Sequence, residues 1–187
     1  VLAGNIDEFD GAYMMTRLVD YIVEHLSQQI KAGCDTVQVF DSWASDLGEE
    51  HIIPYCYEPT AQIVERLRAL HPDVGIIVFP RLIGEEINNF SKYVNADCIS
   101  LSDDMKTDWI LKRMGHQCLQ GGIPPQVLLS EHREDILRGT VPMIRQMKDC
   151  AYVVNLAHGI NKETPVENVR FFIEIVKRNR ENITRET

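Results

Sequence analysis

Ala151-Tyr152-Val153-Val154-Asn155-Leu156-Ala157-His158-Gly159-Ile160 decides how this 187-residue chain folds. The apolar, β-branched start predicts a strand at 151–154. That strand runs into a polar turn presenting one histidine among small residues. Thr164-Pro165 then opens a helix, with proline in a favoured first-turn position. A strand that delivers a titratable side chain at its carboxyl end, just ahead of a helix, is how α/β proteins place functional groups. Phe40-Asp41-Ser42-Trp43-Ala44 repeats the arrangement after Thr36-Val37-Gln38-Val39. The two segments are expected to face one pocket.

Working outward, the pattern predicts a helix over 9–32. Met14, Leu18, Ile22, Leu26 and Ile30 form its apolar face, with Met15, Val19 and Val23 beside them, and Gly33 stops it. Strands are expected at 37–40, 75–79, 97–101, 117–120 and 151–154. Helices are expected at 59–70, 84–94, 106–114, 131–147 and from Pro165 to about 178. One helix followed by five strand–helix pairs implies parallel strands covered by helices. No linker or low-complexity stretch divides the chain, so residues 1–187 read as one domain. The pattern fits an open doubly wound sheet and also the larger part of a (β/α)8 barrel.

A net charge of −9 and the absence of a basic patch exclude nucleic acid and anionic lipid as expected partners. Arg178, Arg180 and Arg185 interleave with Glu181 and Glu186 as a solvated helix end. No apolar stretch has the roughly 20 residues of a membrane helix. No export leader opens the chain, and a cytoplasmic address is the expectation. Val1-Leu2-Ala3-Gly4 reads as the continuation of something longer. The cysteines at 34, 56, 98, 118 and 150 are odd in number and widely spaced, which predicts free thiols in a reducing compartment. Cys98 and Cys118 read as small buried hydrophobes.

Each strand leads into a polar or backbone-shaping residue: Ser42, Arg81, Asp103, Gly121-Gly122 and His158. Each also has a plainer reading. Ser42 could satisfy a backbone donor at a turn, and His158 could bond a carbonyl. Asp103 and Asp104 could cap a helix, Gly121-Gly122 could be turn chemistry alone, and Trp43 could pack. His116-Gln117-Cys118 places two ligand types on one strand face, short of the three or four that zinc needs. No Gly-x-Gly-x-x-Gly and no Walker loop is present, so no nucleotide cofactor is expected.

Three segments together resemble the uroporphyrinogen decarboxylase family. They are Ala32-Gly33-Cys34-Asp35-Thr36-Val37-Gln38-Val39-Phe40-Asp41-Ser42-Trp43-Ala44, then Leu119-Gln120-Gly121 with a proline soon after, then Asn155-Leu156-Ala157-His158-Gly159-Ile160 followed by Thr164-Pro165-Val166-Glu167-Asn168-Val169. The resemblance implies a (β/α)8 barrel of which this chain looks like the last five βα units. It implies a cofactor-free, metal-free carboxy-lyase that removes carbon dioxide from the four acetate arms of uroporphyrinogen to give coproporphyrinogen, in haem biosynthesis. It implies that Ser42 and His158 bind substrate, and that family members form homodimers. The residues that carry the reaction are not assigned. The family's paired arginines, pyrrole-binding aspartate and tyrosine belong to its amino-terminal part and have no matching position here.

Other places depart from the family pattern. Its Gln-Gly-Asn-Leu-Asp-Pro stands as Gln120-Gly121-Gly122-Ile123-Pro124-Pro125, its Lys-Gly-Ala-Gly as Arg81-Leu82-Ile83-Gly84, and its Leu-Asp-Trp as Leu101-Ser102-Asp103. Corrinoid-dependent methyltransferases share the barrel, but where they carry zinc ligands this chain has Pro80-Arg81 and His158. A half-barrel that binds a tetrapyrrole or a partner without turnover is the third reading. Five strands without closure leave open edges, which predicts self-association of the chain by itself.

Overall fold

A computed structural model describes residues 8–186, with side chains described over 11–179. The reading of Val1–Gly4 and the side chains of Arg180, Glu181, Arg185 and Glu186 lie outside the described residues. The chain divides into two compact units, Val1–Asp97 and Cys98–Thr187.

The first unit opens with helix α1 (Glu8–Lys31). Gly33 ends it at φ 110°. Its N–H donates to the Ile30 carbonyl and the Cys34 N–H reaches back to Gln29, the paired bonds of a Schellman cap. The buried face of α1 differs from the sequence expectation. Val19, Val23 and Leu26 are buried, whereas Met14 is 55% and Leu18 49% exposed. Apolar residues run more than halfway round this helix, and its packing partner, α3 (Glu58–Leu70), selects the stripe. Arg66 pairs with Asp20 at 2.8 Å and the His71 ring meets Ser27 at 3.0 Å, fixing the two helices side by side.

Strands β1 (Thr36–Asp41) and β2 (Gly75–Pro80) pair in parallel, with Phe40 opposite Phe79 and Asp41 opposite Pro80. Val37 and Val39 are buried and alternate with exposed Phe40, the period-2 signature of a strand. A short helix, α2 (Glu49–Ile52), and a π turn (Ile53–Tyr57) lead directly into α3, so helical structure starts ahead of the expected 59. After β2, a 3₁₀ turn (Gly84–Glu86) precedes α4 (Ile87–Val94), where Ile87, Phe90 and Val94 turn one face inward. Asp97 closes the unit. Its carboxylate accepts the Ile76 N–H at 2.8 Å and pairs with Arg68 at 3.1 Å.

The second unit holds β3 (Cys98–Leu101), α5 (Thr107–Met114), β4 (Cys118–Gly121), α6 (Arg133–Gln146), β5 (Tyr152–Val153) and α7 (Val166–Glu186). Its three strands pair in parallel, with Ser100 opposite Gln120 and Gln120 opposite Val153. Each strand in either unit is followed by a helix, which makes five βα units of an α/β fold. A 3₁₀ segment (Pro125–Leu129) joins α6 and α7 around an apolar core of Ile123, Leu128, Ile136, Ile144, Phe172 and Ile175. Strand β5 is shorter than expected, spanning Tyr152–Val153, with Leu156 pairing to Ile123 beyond it as an isolated parallel bridge. Helix α7 is longer than expected, since no glycine or proline stops it over 166–186. His116 lies in the turn before β4 and not on the strand. Lys106, rather than Asp103 or Asp104, occupies the cap of α5. Cys98 is buried as expected and Cys118 is partly exposed.

The start of α6 yields a pH prediction. The Ser130 hydroxyl donates to Asp135 at 2.6 Å, and Arg138 reaches the same carboxylate from the next turn. The Ser130 bond first, then Arg138, hold the Asp135 carboxyl below its ordinary value of 3.8. A depressed folded-state pKa contributes stability above the unfolded value, and that contribution is lost as pH falls through the folded one. Asp135→Asn is therefore expected to lag the parent at neutral pH and to converge with it below 3.8. Urea midpoints taken from about pH 3 to about pH 6 check this.

Candidate functional site

The carboxyl ends of the strands gather the polar groups in each unit. In the first, β1 ends at Asp41 and passes into Ser42, which is half-buried, and Trp43, which is 73% exposed and so does not pack. The Asp41 carbonyl accepts the Arg81 N–H at 3.0 Å, tying the ends of β1 and β2 together. The Asp41 carboxyl is raised above its ordinary value, chiefly by burial, with hydrogen bonds from the Cys56 thiol and the Trp43 N–H opposing the rise.

Beyond these ends lies a cleft of about 560 Å³, walled by Leu47, Ile52, Ile53, Leu82 and Ile83, with Glu86 and Tyr57 on its lining. The Tyr57 hydroxyl donates to Glu86 Oε2 at 3.0 Å, with the Glu86 carbonyl as a second acceptor at 3.1 Å. Burial first, and then that bond, push the Tyr57 hydroxyl above its ordinary pKa. Leu82 holds φ at 57°, a left-handed conformation that a leucine adopts only when its surroundings over-determine it. Sequence reasoning missed Cys56, Tyr57 and Glu86, because nothing in their local spacing marks partners so far along the chain.

In the second unit, β4 ends at Gly121, and Gly121 and the following Gly122 hold φ of 82° and 86°, the left-handed region that glycine enters freely. The Tyr152 hydroxyl donates to the Gly121 carbonyl at 2.6 Å. Leu156 then bridges to Ile123, and the Ala157 N–H donates to the Ile123 carbonyl at 2.7 Å. These bonds fix the turn that carries His158 against the end of β4. The histidine itself is exposed. Its Nδ1 lies 3.4 Å from the Gly159 carbonyl, the long limit for such a bond, so the ring remains available to a ligand. Gln120 is buried and donates to Ser100 Oγ at 3.3 Å. Ser42 thus lies in the first unit and His158 in the second, each on the turn that follows its strand. Among the described residues, no group of three or more His, Cys, Asp or Glu side chains is gathered to hold a metal ion. None of the described helices is long and apolar enough to cross a membrane.

The family model described as uroporphyrinogen decarboxylase (URO-D) matches residues 9–179. The chain belongs to the uroporphyrinogen decarboxylase family. Among curated relatives, a protein named uroporphyrinogen decarboxylase from Orientia tsutsugamushi is 34% identical over 160 residues, covering 86% of this chain and 47% of the relative. Proteins of the same name from Cereibacter sphaeroides and Paracoccus denitrificans are each 31% identical, over 166 and 167 residues, covering 88% and 89% of this chain and 48% of each relative. The chain spans about half the length of the curated uroporphyrinogen decarboxylases it matches. The match runs through both units, so the turns of Ser42 and His158 both fall inside the family's domain.

Proposed function

We propose that this chain carries part of the active rim of a uroporphyrinogen decarboxylase, which removes carbon dioxide from the four acetate arms of uroporphyrinogen to give coproporphyrinogen. The family match over 9–179 carries the reading. Protonation of a pyrrole carbon turns the ring into an electron sink. The C–C bond to the acetate carboxylate then breaks, carbon dioxide leaves, the exocyclic methylene carbon takes up a proton, and the ring carbon gives back the proton it received, which restores the pyrrole. No metal or cofactor enters these steps. Ser42 and His158 act as donors to substrate carboxylates, where a charge-assisted hydrogen bond is stronger than a neutral one. The zinc methyltransferase reading has no support at Pro80-Arg81 or His158, which offer no thiolate.

The test pairs the full chain with the amino-terminal segment of the Paracoccus denitrificans relative. The mixture is incubated with uroporphyrinogen under reducing conditions, and coproporphyrinogen is read by chromatography. Product from the mixture supports the proposal. A well-folded mixture that makes no product overturns the enzymatic reading, and saturable uroporphyrin binding in that case points to a binding role without turnover.

His158→Ala is expected to weaken uroporphyrin binding about tenfold, the scale of one hydrogen bond to a charged group. Its unfolding free energy should move by less than about 0.5 kcal/mol, since the ring is exposed. A large loss of stability would make His158 a structural residue. The same reading includes a cytoplasmic homodimer. Sedimentation velocity tests the dimer, and a monomer at micromolar concentration would remove it.

A further inference from the structure

Strand β4 lies between β3 and β5, and it leaves the sheet through a peptide group with a glycine on either side. Gly121 and Gly122 both hold left-handed φ. A peptide between two glycines turns easily, because neither flank has a Cβ to confine it. Here it is held at both ends. Its carbonyl, that of Gly121, accepts the Tyr152 hydroxyl at 2.6 Å from the β5 side. Its N–H, that of Gly122, donates to the Leu101 carbonyl at 3.1 Å on the β3 side. Tyr152 stands opposite Leu119 in the ladder. Two residues of strand span about 6.6 Å, so the ring runs along β4 and brings its hydroxyl to the strand end. The residue after this peptide is Ile123, which is 0% exposed. It bridges to Leu156, and its carbonyl accepts the Ala157 N–H at 2.7 Å. His158 follows at once. The histidine turn is thus fastened to a residue whose own position is set by the pinned peptide.

We propose that Tyr152 is a positioning residue for His158: its hydroxyl pins the Gly121–Gly122 peptide, and the pinned turn sets where the imidazole stands for a substrate carboxylate. The proposal rests on the reading of His158 as a substrate contact. Without the hydroxyl the peptide keeps its Leu101 bond and loses its hold on the β5 side. Its carbonyl then rotates more freely, and Ile123 moves with it. Phenylalanine at this position would fill nearly the same space and leave the Gly121 oxygen without this donor. The role therefore belongs to the hydroxyl and not to the ring.

The experiment uses the full chain in four forms: parent, Tyr152→Phe, His158→Ala and the double variant. Two readouts are taken. Uroporphyrin affinity is measured by fluorescence quenching. Amide hydrogen exchange is followed by NMR at Gly122, Ala157 and Leu119. The Leu119 N–H donates to the Ala151 carbonyl at 2.8 Å, so it reports the β4–β5 ladder apart from the turn. Tyr152→Phe is expected to speed exchange about fivefold at Gly122 and Ala157 and to weaken affinity about fivefold, the scale of one hydrogen bond. Leu119 should exchange as in the parent. Adding Tyr152→Phe to His158→Ala should cost little more affinity than His158→Ala alone.

If Gly122 and Ala157 exchange as in the parent, or if Leu119 quickens as much as they do, the hydroxyl does not pin the turn and the proposal is overturned. If His158→Ala weakens affinity and Tyr152→Phe does not, or if the two losses multiply in the double variant, Tyr152 does not act through His158 and the proposal is again overturned. If His158→Ala leaves affinity unchanged while Tyr152→Phe still quickens Gly122 and Ala157 alone, the substrate reading of His158 fails and the pin on the peptide stands. Should the phenylalanine variant not fold, Tyr152→Met replaces it as the donor-free form.

Discussion

Replacing Ile136 with alanine is expected to lower the unfolding free energy by about 3–4 kcal/mol. Ile136 lies in α6, is 0% exposed, and packs among Ile123, Leu128, Ile144, Phe172 and Ile175. Those residues come from the segment after β4, from α6 itself and from α7. They have few ways to collapse into a void, because each is held by its own backbone element. The loss therefore combines the transfer energy of the deleted carbons with the cost of an unfilled cavity. Ile136→Val should cost only about 1 kcal/mol, since one methylene leaves. Chemical denaturation checks both values. A shift in midpoint at constant slope is the expected form, because the change acts on the native core and not on the extent of unfolding. A loss below about 1 kcal/mol for the alanine variant would show that this core is loosely packed.

The second large effect is expected at Gly121, where alanine should cost about 3 kcal/mol from left-handed backbone strain and crowding together. The glycine sits at φ 82°, and an added Cβ would stand 3.0 Å from the Leu101 carbonyl oxygen and 3.2 Å from that of Leu156. Both neighbours are backbone atoms of flanking strand segments and cannot swing aside. Gly122 has a similar φ, but its added Cβ would press on the end of Met143, a flexible side chain that can move. Gly122→Ala should therefore be milder than Gly121→Ala. Gly159 is the control. Nothing lies within 4 Å of its added Cβ, and alanine there should change stability little although it adjoins His158. Gly121→Ala should also weaken uroporphyrin binding. The turn that carries His158 hangs from this strand end through the Ile123–Leu156 bridge and the Ala157 N–H. Thermal unfolding and porphyrin titration of the three variants test this ordering, and equal losses at Gly121 and Gly159 would contradict it.

The candidate site was legible where chemistry is local. The β-branched run ahead of Asn155, the small residues round His158 and the glycines after Gln120 each report a strand and the turn that ends it. The structure has a strand ahead of each of these segments, although β5 is shorter than its apolar run. The face of α1 was not legible in the same way. Its apolar residues allow two stripes, and the one containing Val19 and Val23 is buried because α3 lies against it. Nor was the Tyr57–Glu86 pair visible. A tyrosine and a glutamate 29 positions apart carry no periodic mark, and their hydrogen bond exists only once the chain has folded.

Family and order of elements were therefore determined by the amino-acid sequence alone. Hydrophobic period, helix caps and turn residues act over a few positions, and the strand-end motifs are contiguous. Tertiary structure decided which helix face is buried, where β5 stops, and that the Tyr57 hydroxyl meets Glu86. Those outcomes depend on partners brought together from distant positions, where packing and hydrogen bonding outweigh the small local preferences that a sequence pattern can express.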